Sequence, residues 1–261
     1  MKTLLLSTIL SIASLICWAQ SSNDKSTETP AIVFKGKITF ERKSNTHKQI
    51  DERMKGRGGE SSMAEIMKKQ APKYKTDIFE LSFTDKKSIY KPAPNGIQET
   101  KLLMGALPAE ANVVFNDYEQ HASTAEKKVF EKNYLVKDSF KKFNWKIKEE
   151  FRKIAGFNCR RAETVIMDSV YVVAYYTDAI LADGGPEGFN GLPGMILGVV
   201  MPRLNVTYFA TKFDNYVADD KVITPSTKGQ TITEEKLIEK LRDSMSNWGD
   251  YIQRMLWYIC I

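Results

Sequence analysis

The stretch FNWKIKEEFRKIAGFNCRRAETVIMDSVYVVAYY, residues 143–176, decides the fold class. Trp145, Ile147 and Glu149 run toward Ile154-Ala155-Gly156-Phe157-Asn158-Cys159, where Gly156 marks a turn or bulge. Ala162 to Met167 and Tyr171 to Tyr176 follow as two runs rich in β-branched and aromatic residues, joined at Asp168-Ser169. Short runs of this kind between turn residues read as consecutive antiparallel strands.

The same signal extends in both directions. Upstream, Ile32, Phe34, Ile38 and Phe40 alternate with Lys35, Lys37, Thr39 and Glu41, the period-two pattern of a half-buried strand. Phe79, Leu81 and Phe83 repeat it, and the strand chemistry continues to Tyr90 before a Pro92, Pro94, Asn95-Gly96 loop. Val113–Phe115, Lys128–Phe130 and Tyr134–Val136 add short strands, and Val199–Phe213 reads as strand with Pro202 near its start. Residues 43–73 interrupt the series as an insertion, with Gly56, Gly58 and Gly59 among charges and then Met63, Ile66 and Met67 at helical spacing over a turn or two. The expected fold is mainly β, one large curved antiparallel sheet or half-barrel. It ends in an amphipathic helix over 233–260, started by Thr233-Glu234-Glu235 and striped by Leu237, Leu241, Met245, Trp248, Ile252, Met255 and Ile259. Gly249 weakens its middle. That helix either covers the sheet or docks on a membrane or partner.

The first residues carry an address. Lys2, the apolar run from Leu4 to Trp18 and the small residues Cys17 and Ala19 around the exit form a secretory signal over 1–19. The run is too short for the roughly 20 residues of a membrane-spanning helix. Cys17 as a lipid-attachment site is the rival reading, and bulky Ile16 and Trp18 are wrong for it. Residues 20–30, polar and closed by Pro30, read as a disordered leader, and 31–261 as a single domain. The formal charge of +6 becomes +5 when Lys2 is removed with no acidic residue. This charge is spread among acids and bases, and an exported chain with such a surface is no nucleic-acid binder. Cys159 and Cys260 remain as an even pair in an oxidising compartment. A disulfide between them would close a loop of about 100 residues and contribute roughly 4–5 kcal/mol. Two unpaired thiols, or a reactive Cys159 beside Arg160 and Arg161, are the alternatives.

Six of the fifteen glycines fall between 184 and 198, in Asp183-Gly184-Gly185-Pro186-Glu187-Gly188-Phe189-Asn190-Gly191-Leu192-Pro193-Gly194-Met195-Ile196-Leu197-Gly198. Such a loop permits left-handed backbone and close approach of another chain. It reads either as a tight corner with Phe189 and Leu192 seated in the core, or as a binding or partner loop built on Gly185, Pro186, Phe189, Gly191, Leu192, Pro193 and Gly194. Gly191-Leu192-Pro193-Gly194-Met195-Ile196-Leu197 resembles the Gly-Leu-Pro-Gly-Leu-Ile-Leu motif of the GLPGLI family, with Met195 in place of leucine. Trp145-x-Ile147, Ile154-x-Gly156-Phe157-x-Cys159, Ala162, Ala174-Tyr175-Tyr176-Thr177 and Gly185-Pro186 resemble that family's lead-in, so the likeness spans most of 31–215. The resemblance implies an exported Bacteroidetes envelope protein, periplasmic or associated with the outer membrane, without established catalytic residues.

Signatures of chemistry are sparse. His47 and His121 sit in polar surroundings, and neither Gly-x-Ser-x-Gly nor His-Glu-x-x-His occurs. The carboxylate pairs of glycosidases leave little local trace, so a hydrolase stays among the alternatives. His47, Met54, Met63 and Met67 offer imidazole and thioethers that suit Cu(I), while the same methionines also suit packing. No cofactor is implied. The expected function is a non-catalytic binding or accessory protein, holding lipid or another apolar ligand on the sheet's concave face. A structural partner of an outer-membrane transporter is the alternative.

Overall fold

The computed structural model describes residues 32–55, 60–98, 107–215 and 221–261. The proposed signal and leader, and Gly56, Gly58 and Gly59 of the insertion, lie outside them. Twelve strands form one open, curved sheet. In chain order they are β1 (Gly36–Asn45), β2 (Tyr74–Phe83), β3 (Lys87–Pro92), β4 (Val113–Asp117), β5 (Ala122–Val129), β6 (Lys132–Ser139), β7 (Lys146–Ile154), β8 (Phe157–Ile166), β9 (Val170–Thr177), β10 (Met195–Met201), β11 (Val206–Asp214) and β12 (Gln230–Ile232). The spatial order is β12-β6-β5-β4-β3-β2-β1-β11-β10-β9-β8-β7. Two meanders, β1 to β6 and β7 to β11, are therefore joined where β1 pairs antiparallel with β11, from Lys37 opposite Asp214 to Ser44 opposite Val206. Short β12 adds to β6 in parallel.

The hairpins follow their turn residues. Ala155 and Gly156, both at positive φ, link β7 to β8, and Met167 and Asp168, also at positive φ, lie between β8 and β9. Such left-handed pairs match the twist of adjoining strands. Alternation along β1 and β2 buries Ile38 and Phe40 beside Phe79, Leu81 and Phe83. Phe79 stacks on Tyr90 with centroids 4.8 Å apart.

Several boundaries differ from the sequence expectation. β1 starts at Gly36, so Ile32 and Phe34 are 62% and 54% exposed, and Val33 instead bridges Ile180. The expected strand over 199–213 is two strands. Pro202 opens a 3₁₀ turn, Pro202–Leu204, and Asn205 at φ 54° reverses the chain into β11. The insertion forms two helices, α1 (Thr46–Met54) and α2 (Glu60–Gln70). The C-terminal helix is broken at Gly249 (φ 52°) into α3 (Glu234–Ser244) and α4 (Asp250–Ile259). Thr233 caps α3, accepting from the Lys236 amide at 3.4 Å. Leu237, Leu241, Met245, Met255, Leu256 and Ile259 pack into the core against the sheet. Trp248 is left out of that stripe and meets Phe130 and Tyr251 instead.

The disulfide is not formed: Cys159 and Cys260 are both free and buried. Alternation along β8 puts Cys159 and Ala162 on opposite faces. Both faces receive residues from the chain end: Cys159 shares a cluster with Met255, Leu256, Ile259 and Cys260, and Ala162 shares one with Trp257 and Ile261. Cys159 contacts the Phe157 carbonyl at 3.7 Å, whereas Cys260 lies near Glu234, Lys127 and Lys141. Burial first of all pushes the two thiols up, to about 12 and about 11, so neither resembles an activated thiolate.

Gly194 and Gly156 separate two demands on glycine. Both have positive φ, 129° and 89°. A Cβ at Gly194 would sit 2.1 Å from the Thr177 carbonyl oxygen, while one at Gly156 would meet nothing within 4 Å. Gly156→Ala should cost about 1 kcal/mol for its dihedral alone. Gly194→Ala should cost about 3 kcal/mol or more, because β9 and β10 must part. Urea denaturation of the two variants checks the difference.

Candidate functional site

Strand parity buries charges as well as apolar residues. On β1, Arg42 and Ser44 continue the inward row of Ile38 and Phe40, and on β2, Lys75 and Asp77 continue that of Phe79 and Leu81. Arg42 lies opposite Asp77 on one side and Tyr208 of β11 on the other. Its guanidinium donates to Asp77 Oδ2 from Nη2 at 2.7 Å and from Nε at 3.2 Å, and rests 4.8 Å from the Phe79 ring centroid. Lys75 Nζ stands 3.5 Å from the same Asp77 oxygen and 3.3 Å from Glu110. The Gln98 amide donates to Asp77 Oδ1 at 2.8 Å. Every charge of this row thus has an opposite charge beside it, as burial requires.

The glycine-rich stretch completes the row from above. Its backbone turns at Glu187 (φ 53°, ψ 24°), a left-handed conformation in a buried, non-glycine residue. The Glu187 carboxylate accepts from Asn112 Nδ2 at 2.9 Å and from the Tyr208 hydroxyl at 3.5 Å, with Arg42 Nη1 4.0 Å away. Burial raises its pKa, and Arg42, Asn112, Lys127 and Tyr208 only partly offset this. Glu187 is shared by three cavities of about 30, 50 and 350 Å³.

The largest is a cleft open to solvent. Phe143, Ile166, Met167 and Phe189 supply its apolar walls, with Lys141, Lys142 and Glu234 around it. Phe143 and Phe189 lie 5.4 Å apart between centroids, and Trp145 joins them. Trp145 Nε1 donates to the Asn190 carbonyl at 2.9 Å, tying segment 143–145 to the glycine loop. Lys141 pairs with Glu234 at 2.7 Å and also donates to the Cys260 carbonyl. Lys127, buried on β5, donates to the main-chain oxygens of Ile259 at 2.6 Å and Ile261 at 2.5 Å. These lysines hold the end of α4, where unpaired carbonyls favour cations.

The loop residues singled out from sequence divide sharply. Phe189 and Leu192 are seated in the core with Tyr176 and Ile196. Gly185, Pro186 and Gly194 are buried, and only Gly191 and Pro193 are exposed. Met195 to Leu197 are already strand β10. Met54 and Met67 meet in a small core with Ile50, Ala64 and Ala71, whereas Met63 is 38% exposed and His47 Nε2 lies 3.1 Å from the Ala71 carbonyl. Among the described residues no group of three His, Cys, Asp or Glu could hold a metal ion. His121 lies in the β4–β5 turn against Phe140. α3 and α4 pack on the sheet face that carries Ile38, Phe40, Phe79 and Leu81, and a cleft remains beside the glycine loop. Sequence reasoning missed Arg42, Asp77, Lys127 and Glu187. The first three share parity with flanking apolar residues, which is the signal that marks them.

Fold and site define an open-sheet protein with a charged interior row leading to a half-enclosed cleft. A family described as a protein of unknown function (Porph_ging) matches residues 163–198, a span that contains the Gly191–Leu197 stretch on which the resemblance rests. No curated protein matches the chain. Among solved structures, PNGF-II in a C2 crystal is 14% identical with a TM-score of 0.49, over 85% of this chain and 33% of that one. In a P21 crystal the figures are 15%, 0.48, 85% and 34%. An uncharacterized conserved protein from Thermus thermophilus is 7% identical with a TM-score of 0.38, over 77% of this chain and 91% of that one. The chain thus spans about a third of the PNGF-II chain.

Removing one partner from the buried row tests its weight. Arg42→Met should cost about 3–5 kcal/mol in chemical denaturation, because Asp77 loses both guanidinium hydrogen bonds and keeps only Lys75 at 3.5 Å, while Glu187 loses its nearest cation. Glu187 has the opposite sign. Its raised folded pKa means that its contribution is fully present below the unfolded value of about 4.3 and is lost as pH rises through the folded value. Glu187→Gln should therefore gain stability relative to the wild type as pH rises from about 4 to 7, read from denaturation midpoints across that range.

Proposed function

We propose that this protein is an exported, non-catalytic binding module of the cell envelope, and that the cleft beside the glycine-rich loop is its ligand site. The observation that carries the reading is the cleft itself. Its volume of about 350 Å³ is in the range of small-molecule sites, and it is lined by Phe143, Ile166, Met167 and Phe189 together with Lys141, Lys142, Asn144, Glu187 and Glu234. Its two carboxylates support binding over hydrolysis. Both oxygens of Glu187 already face donors, and Glu234 is matched by Lys141. A nucleophile or general base needs a free oxygen lone pair directed at a substrate. The signal-like first nineteen residues and the family resemblance supply the address.

The test is recovery of the protein from its native envelope, followed by solvent extraction and mass spectrometry of both lipids and proteins. A small molecule should accompany the protein near one to one, and Met167→Trp, which fills the cleft, should abolish it while the circular dichroism spectrum is kept. Recovery of a stoichiometric outer-membrane transporter with an empty cleft would replace this reading by that of a structural subunit.

A further inference from the structure

Three lysines approach the cleft and the smaller cavity behind it, and their partners are unequal. Lys141 is matched by Glu234, and Lys127 is taken up by the main-chain oxygens of Ile259 and Ile261. Lys142 is exposed at the cleft and has no hydrogen-bond or ion-pair partner among the described residues. Next to it Phe143 begins the apolar wall that continues through Ile166 and Phe189. A cation without a partner among the described residues therefore lines a partly apolar cleft whose carboxylates are already engaged.

We propose, building on the reading of this cleft as a ligand site, that it takes a small amphiphile with an acidic head group, its carboxylate on Lys142 and its chain laid along the wall that Phe143, Ile166 and Phe189 line. The charge balance selects the head. Glu234 is neutralised, and Glu187 is enclosed by Asn112, Tyr208 and Arg42, so an added cation would find Lys141 and Lys142 and no free acid. A neutral head would leave Lys142 as it is and gain nothing from it. The volume limits the body to a short chain or a ring, since about 350 Å³ lies near the lower end of small-molecule sites.

Calorimetric titration of the full mature protein with decanoate, decanol and decyltrimethylammonium, each below its micellar concentration, tests this. Decanoate should bind at least about tenfold more tightly than the other two, the worth of one charge-assisted hydrogen bond. Lys142→Glu should remove that preference and Lys142→Arg should keep it, and neither exposed substitution should change the thermal midpoint. Equal binding of decanoate and decanol, a preference that survives Lys142→Glu, or tighter binding of the ammonium compound would overturn the acidic head group and leave the cleft as a site. No binding of any of the three would overturn the amphiphile, and the co-purified molecule then decides separately whether the cleft binds anything.

Discussion

The pairing of β1 with β11 is the constraint on which the remaining structure depends. Lys37 opposite Asp214 and Ser44 opposite Val206 join chain segments about 170 residues apart, and they turn two local meanders into one continuous sheet. Closing so long a loop is costly in chain entropy, although the cost grows only slowly with length. What offsets it is burial on both sides of β1. Phe40 has Phe79 on one neighbour and Ala210 on the other, and Arg42 has Asp77 and Tyr208. A one-residue slip at this seam would turn the apolar row to the opposite face and separate Arg42 from its counter-ion, so the register is strongly specified.

The same seam positions the site. Arg42 and Tyr208 reach Glu187 only because β1 and β11 are adjacent, and Glu187 reaches them only because the chain before β10 folds back over the sheet. Phe189 and Leu192 fasten that fold, Trp145 bonds the loop at Asn190, and Gly194 lets β10 start against the Thr177 carbonyl. The glycine-rich stretch is therefore a structural corner whose underside becomes part of the cleft. The end of α4, held by Lys127 and Lys141, closes the remaining side.

Much of this is legible in the residues. Period-two alternation identifies β2 and the inner half of β1, the turn residues locate the hairpins of 143–176, and Thr233-Glu234-Glu235 marks the start of α3. Three failures share one cause, which is that spacing along a chain does not report direction in space. Pro202 is tolerated near a strand start, but with Asn205 able to adopt φ 54° it makes a reversal. Cys159 and Cys260 are an even pair by count and reach the same buried cluster, but the Cys159 thiol is directed at the Phe157 carbonyl and both stay free. The methionines of the insertion face different surroundings, because α1 and α2 bury Met54 and Met67 against each other and leave Met63 outside. The buried charges form the opposite case. Arg42, Asp77 and Lys127 each sit at an inward position of an alternating strand, so their burial can be read from parity, although their partners cannot.

The sequence by itself determined the strand-rich class, the inward faces of β2 and of β1 from Ile38 on, and the terminal amphipathic stripe, because these rest on side-chain periodicity and local turn chemistry. Only the tertiary structure decided which strands are neighbours, that α3 and α4 cover the face of Phe40 and Phe79, and that open space survives beside Glu187. Those outcomes depend on contacts between residues far apart in the chain, such as Asn112 with Glu187 and Lys127 with Ile259, which local patterns do not encode.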